Sequence, residues 1–130
     1  MTADTTILDA NAVLRFLMGD IEEQAAITKQ TIARRRCLIP VEVMAEVVYV
    51  LCGWYKLPRE IVAAKVRELI AAKYGLVERS DLIACAITHF ERNGRLDFVD
   101  CLLLSYQELF GYRILTFDKD LQKQLPKQSQ

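Results

Sequence analysis

The stretch Thr5-Thr6-Ile7-Leu8-Asp9-Ala10-Asn11-Ala12-Val13-Leu14-Arg15-Phe16-Leu17 sets the pattern of the chain. Thr5 to Leu8 is short, β-branched and apolar, which predicts a buried strand. Asp9-Ala10-Asn11 turns out of it into residues 12–17, a helix with a broad apolar face. A strand feeding directly into a helix is the building unit of a parallel α/β sheet. The acid at the junction sits at a strand's carboxyl end, where such sheets bind ligands.

The same alternation continues outward. Gly19-Asp20 stops the first helix and is expected to cap the next, over about 21–36, with Ala25, Ile27, Ile32 and Ala33 inward. Cys37-Leu38-Ile39 predicts a second strand, closed by Pro40, and Val41 to Cys52 a helix ending near Gly53. Leu57-Pro58-Arg59-Glu60 starts another helix, with proline near the first turn, where it is tolerated. Its apolar positions Ile61, Val62, Val66, Leu69 and Ile70 recur at helical spacing, and Gly75 ends it. Leu76-Val77 reads as a short strand. Ser80-Asp81 is expected to cap a helix through Arg92, and Asn93-Gly94 signals a turn. Asp97 opens a helix through Leu109, ended by Gly111. Arg113 to Phe117 predicts a last strand, Asp118 caps a short helix near Leu121, and the tail from Pro126 is expected to fray. Strands alternating with helices imply a parallel sheet covered on both faces, with right-handed crossovers. No repeat or linker interrupts the 130 residues, so one helix-rich α/β domain over 1–130 is expected.

Hydrophobic residues make up 52% of the chain, too many for disorder. Lys plus Arg and Asp plus Glu each number 17, so no overall positive charge argues for nucleic-acid affinity. Local patches or a bound cation can still neutralise phosphates. Cys37, Cys52, Cys85 and Cys101 have no C-x-x-C spacing and apolar neighbours, which suits buried free thiols in a reducing cytoplasm. The single His89 gives little support to a zinc site and reads as an ordinary helix residue. There is no signal-peptide pattern and no apolar run long enough for a bilayer, so a cytoplasmic protein without membrane contact is expected.

Four carboxylates stand out. Asp9 and Asp118 each follow a predicted strand, Asp100 lies in the first turn of an apolar helix, and Glu46 is the only charge between Val43 and Cys52. Each has a plain alternative. Asp9 and Asp118 can cap helices, Asp97 and Asp100 form a weak capping box, and Glu46 can share an exposed stripe with Glu42, Tyr49 and Gly53. That stripe is narrow, which places Glu46 near the core edge. Taken together, carboxylates gathered at one rim repel one another, and a bound hard cation is the usual reason to keep them. Phosphodiester cleavage uses such an ion.

Four segments resemble the motifs of the PIN-domain family. Ile7-Leu8-Asp9-Ala10-Asn11 resembles its opening D-x-N. Val43-Met44-Ala45-Glu46-Val47-Val48-Tyr49-Val50-Leu51 resembles the helix of its second acid. Asp97-Phe98-Val99-Asp100-Cys101-Leu102-Leu103 resembles D-F-x-D-A-L, with cysteine where alanine is commoner. Leu115-Thr116-Phe117-Asp118-Lys119-Asp120-Leu121 resembles T-F-D-K-D. The motifs run in register over nearly the whole chain, and the short length is similar to VapC-type toxins. The resemblance implies a PIN-like three-layer α/β/α fold with a central parallel sheet. It implies a metal-dependent endoribonuclease, the toxin of a toxin–antitoxin pair, cutting RNA by in-line attack of a metal-activated water. Carried over by motif, Asp9, Asp100 and Asp118 hold Mg²⁺ or Mn²⁺, and Glu46 completes the catalytic set and orients or deprotonates the water. Asp97 is an accessory acid, and Asn11 and Thr116 bond the acids and fix their rotamers. One metal ion or two is left open. A homodimer and a cognate antitoxin are the implied partners. The alternatives are a nuclease of this fold in RNA processing or on DNA, and an inactive binding module.

Arg34-Arg35-Arg36 reads as a solvated helix end. Arg15, Lys119 and Lys123, nearer the acidic motifs, are the better candidates for phosphate contact. Ser105 has no histidine partner in sight, and Trp54 and Tyr55 belong either to the core or to a partner surface.

Overall fold

The computed structural model describes residues 4–126. Its elements run β1 (Thr6–Ile7), α1 (Ala10–Met18), α2 (Glu22–Arg34), β2 (Cys37–Leu38), α3 (Val41–Gly53), α4 (Arg59–Ala72), α5 (Ser80–Arg92), α6 (Phe98–Phe110) and α7 (Lys119–Gln122). β1 and β2 pair in parallel, Thr6 with Cys37 and Ile7 with Leu38. A parallel bridge from Ile39 to Val77 extends the sheet by one more segment. The result is a small parallel sheet wrapped by helices, an α/β fold rich in helix.

Both strands run straight into helices at the same end of the sheet. Leu8 N–H still bonds the Leu38 carbonyl at 3.0 Å, and α1 then starts at Ala10 and α3 at Val41. α3 buries Met44, Val47, Val48 and Leu51, while α5 buries Leu82, Ile83, Ala86, Ile87 and Phe90. α6 packs against both of these helices. The Phe90 and Phe98 rings meet edge to face at 6.0 Å, closing the α5–α6 corner. Gly19 and Gly111 end α1 and α6 at φ 63 and 73, left-handed positions that cost glycine little.

Several local expectations fail for identifiable reasons. The segment Arg113–Phe117 forms no strand; Leu115 and Phe117 are 84% and 87% exposed, and neither β1 nor any other described segment pairs with it. β-character in the sequence is realised only where a partner edge is engaged. On α2 the inward positions are Thr28 and Ile32 with Ala25 half-buried, whereas Ile27 and Ala33 face solvent. Ala25, Thr28 and Ile32 keep the i, i+3, i+7 spacing of one helical face, and Thr28 is tolerated there because its hydroxyl bonds the Gln24 carbonyl at 2.9 Å. Asp20 does not cap α2; Ile21 holds that position, and Asp20 instead takes up Arg15 and Tyr55. Ser80 does not cap α5 either, since Arg79 occupies the cap at φ 51. Ile61 on α4 is exposed, and the buried face is formed by Val62, Ala63, Val66 and Leu69. Of the four thiols, Cys37 and Cys101 are buried, but Cys52 and Cys85 are only partly so. The tail expected to fray lies outside the described residues beyond Pro126.

Candidate active site

Three of the acids are placed by helix capping. Asp9 Oδ1 accepts the Ala12 N–H at 2.9 Å, Asp97 Oδ1 the Asp100 N–H at 2.8 Å, and Asp118 Oδ1 the Leu121 N–H at 2.9 Å. Each therefore stands at a helix N-terminus with one carboxylate oxygen engaged in the cap. Capping fixes the rotamer locally, and the helix end favours the anion.

Asp97, Asp100 and Asp118 are electrostatically joined. Partial burial pushes the Asp100 carboxyl above the ordinary carboxylate range, and the nearby charge and hydrogen bond of Asp97 and the charge of Asp118 push it further. Among the described residues no cation pairs with Asp9, Glu46, Asp97, Asp100 or Asp118; the ion pairs are Arg15–Asp20, Arg67–Glu91 and His89–Glu108. Nor do any three of these acids bring oxygens within 4.8 Å of one another. Asp9 and Glu46 both follow strands at one end of the sheet, and neither is among the charges that shift Asp100. Glu46 lies in the exposed stripe it shares with Glu42, Tyr49 and Gly53, not at the core edge as its narrow stripe suggested.

The accessory residues behave unequally. The Thr116 hydroxyl oxygen accepts the backbone N–H of Asp118 at 3.1 Å, shaping the turn rather than the carboxylate. Asn11 is exposed and lines a shallow pocket with Asp9, Arg15 and Thr28, with no bond to an acid. Asp97 stands at the rim of a cleft of about 370 Å³ whose walls include Ala45, Val48, Tyr49, Phe98 and Val99. Arg15 is not free for phosphate: its Nε lies 3.0 Å from Asp20 and its Nη2 donates to the Tyr55 hydroxyl at 2.8 Å. That hydroxyl in turn donates to Asp20 at 2.6 Å. Tyr55 is thus a packing residue, while Trp54 is 80% exposed. Lys119 and Lys123 remain exposed beside Asp118.

A family model of the PIN domain matches residues 6–127. The chain belongs to the PIN-domain family. Comparison with curated proteins and with solved structures returned no significant match. The PIN domain is a nuclease fold, and its members are typically metal-dependent hydrolases of nucleic acid. The residues present fit a divalent ion. The donors are carboxylate oxygens, the hard ligands that magnesium and manganese prefer, and a cation would relieve the repulsion felt by Asp100. Among the described residues of this PIN domain no helix is long and apolar enough to cross a membrane.

One polar cluster escaped the motifs. Cys85 and His89 on α5 and Glu108 on α6 bring their donor atoms together within 4.8 Å. The Cys85 thiol donates to Glu108 Oε2 at 3.2 Å, and His89 Nε2 lies 3.0 Å from Glu108 Oε1. The Cys85 hydrogen bond, ahead of His89, holds the Glu108 carboxyl below its usual range. The signal available in the sequence was the i, i+4 spacing of Cys85 and His89; the third member comes from the next helix.

Proposed function

We propose that this PIN domain is a Mg²⁺- or Mn²⁺-dependent endoribonuclease and the toxin of a VapC-type toxin–antitoxin pair, a single domain over residues 1–130. The observation that carries the nuclease reading is the Asp97–Asp100–Asp118 group, in which partial burial and then the charges of Asp97 and Asp118 push up the Asp100 carboxyl and no cation among the described residues pairs with any of the three. Such an arrangement is costly unless a cation is bound in use. RNA as the substrate, the toxin role, a homodimer and a cognate antitoxin partner rest on the resemblance of the motifs to PIN domains and of the short chain to VapC-type toxins, and a cytoplasmic setting rests on the spacing and apolar neighbours of the four cysteines.

Asp9, Asp100 and Asp118 would hold the ion, directly or through water. The ion supplies neutralisation of the phosphate and a more acidic attacking water. Asp97 holds the first turn of α6 through its cap bond, which sets the direction of the Asp100 side chain. Thr116 fixes the backbone of Asp118, and Asn11 flanks Asp9. Glu46, exposed on α3 and without an ion pair among the described residues, orients the water and takes its proton as the phosphodiester is opened in line. Lys119, adjacent to Asp118, meets the phosphate.

The test is cleavage of a broad RNA set by purified wild type and by Asp9→Asn, with either ion and with chelator. Metal-dependent cutting by wild type, lost in Asp9→Asn, is the expected result. Equal cutting by both proteins, or an inert wild type with both ions, overturns the reading. Sequencing RNA ends after induced expression then reports the target.

A further inference from the structure

We propose that Cys85, His89 and Glu108 form a second metal site, one for a borderline transition ion such as Zn²⁺, on the surface where α5 packs against α6. Cys85 and His89 are one helical turn apart on α5, so both side chains project from the same face. The same i, i+4 spacing lets a helix present two zinc ligands together. Glu108 reaches across from α6 and already touches both, at 3.2 Å from the sulfur and 3.0 Å from the imidazole nitrogen.

The donor set decides the class of ion. Sulfur, imidazole nitrogen and carboxylate oxygen are the ligands of zinc, whereas magnesium and calcium take oxygen alone. Zinc bond lengths place neighbouring donors of a tetrahedral site roughly 3.3–3.6 Å apart. The sulfur–oxygen and nitrogen–oxygen separations, which run to the two different oxygens of Glu108, fall within tenths of an ångström of that range, and all three donors lie within 4.8 Å, a spread that side-chain rotation on two packed helices can close. Three protein ligands leave a fourth position, which faces solvent because Glu108 is exposed and Cys85 and His89 are half-buried. A water or a donor from another molecule fills it.

The site is separate from the acid cluster. Glu108 lies eight residues beyond Asp100 on α6, about 12 Å along the helix axis. Its role is to clamp α5 to α6, since an ion bound only by the folded chain stabilises it by mass action. The simpler reading of the same geometry is a hydrogen-bonded tie between the two helices that never meets a metal. The two differ in what they do with zinc.

The experiment is equilibrium dialysis of the full chain against Zn²⁺ alone, with Co²⁺ substitution as the spectroscopic readout. Wild type is expected to bind one thiolate-ligated equivalent, shown by a thiolate-to-cobalt charge-transfer band, and to melt higher with zinc. Cys85→Ser and His89→Ala are expected to weaken binding at least about tenfold and Cys85→Ser to abolish the band. Glu108→Gln, which keeps the side-chain shape, guards against loss by misfolding and is expected to weaken binding likewise. Asp100→Asn is expected to leave the thiolate-to-cobalt band intact. No saturable zinc binding, binding indifferent to Cys85→Ser, or a band lost with Asp100→Asn alone would each overturn the proposal.

Discussion

Asp97 Oδ1 accepts the backbone N–H of Asp100 at 2.8 Å, so the residue that starts α6 also presses its charge against the acid one turn on. The cap is favourable and the repulsion is not, and the two have separate consequences. Burial first, then Asp97 and then Asp118, raise the Asp100 carboxyl above its unfolded value of 3.8. The folded state therefore binds the Asp100 proton more tightly than the unfolded state does. Without metal, that advantage is full below the unfolded value and is lost as pH climbs through the raised folded value. At neutral pH the ionised group is a burden, so Asp100→Asn is expected to melt higher than wild type in chelator. Thermal melts check this, and a lower melting temperature for the variant would contradict it.

Divalent ion should reverse the order. Mg²⁺ or Mn²⁺ bound to the carboxylates stabilises the folded chain in proportion to its occupancy. Wild type is expected to gain melting temperature on addition of either ion, and Asp100→Asn to gain little. The same melts, repeated across ion concentrations, measure the difference.

Asp97 separates a cap from a charge. Asp97→Ala removes the cap and should cost about 1 kcal/mol, while Asp97→Asn keeps the acceptor and should stay within a few tenths. Both lose the charge beside Asp100, so both are expected to lower activity, by about 10–100-fold if Asp97 positions a ligand. Urea denaturation alongside RNA cleavage distinguishes the two effects. Equal activity in wild type and Asp97→Asn would reduce Asp97 to a cap.

Arg59 fastens the approach to α6. Its Nη1 donates to the Phe90 and Asn93 carbonyls at 2.9 and 3.0 Å, and its guanidinium lies 4.0 Å from the Phe90 ring centroid. Arg59→Met keeps the aliphatic stem and loses the charge-assisted bonds and the cation–π contact, an expected loss of about 2 kcal/mol. Denaturant unfolding of this variant is the check; a change under half that size would mean the α5–α6 turn holds without it.

Leu115 and Phe117 test the open segment before Asp118. Both are almost fully exposed, so Leu115→Ser and Phe117→Ser should change stability by no more than about 0.5 kcal/mol. A loss above about 2 kcal/mol, the size expected for a buried large side chain, would place this segment inside the fold.

What was legible in the sequence was mostly local. Asp9, Asp97 and Asp118 were readable as helix caps because a cap needs only the next three residues, and Gly19 and Gly111 as stops because a left-handed end favours glycine. The parallel direction of the sheet followed from strands feeding helices, whereas the pairing of Cys37–Leu38 with Thr6–Ile7 emerges only in the fold. What depended on distant partners was not readable. Residues 113–117 have strand composition but engage no edge among the described residues, and Asp20 has cap chemistry but finds Arg15 and Tyr55. α2 carries a weakly amphipathic pattern, so its inward face was misplaced at Ile27 and Ala33. At the site, the motif order marked the acids, but only the folded chain joins Asp118 to Asp100. His89 looked ordinary because its partner Glu108 lies on another helix.

The central claim is that Asp9, Asp100 and Asp118 share one divalent-ion pocket. Its most direct test is a Mn²⁺ titration followed by electron paramagnetic resonance, in a Cys85→Ser, His89→Ala background that removes the second proposed site. Saturable Mn²⁺ binding that weakens at least about tenfold in each of Asp9→Asn, Asp100→Asn and Asp118→Asn is the predicted result. Binding that survives unchanged in Asp9→Asn, or no saturable binding at all, would contradict it.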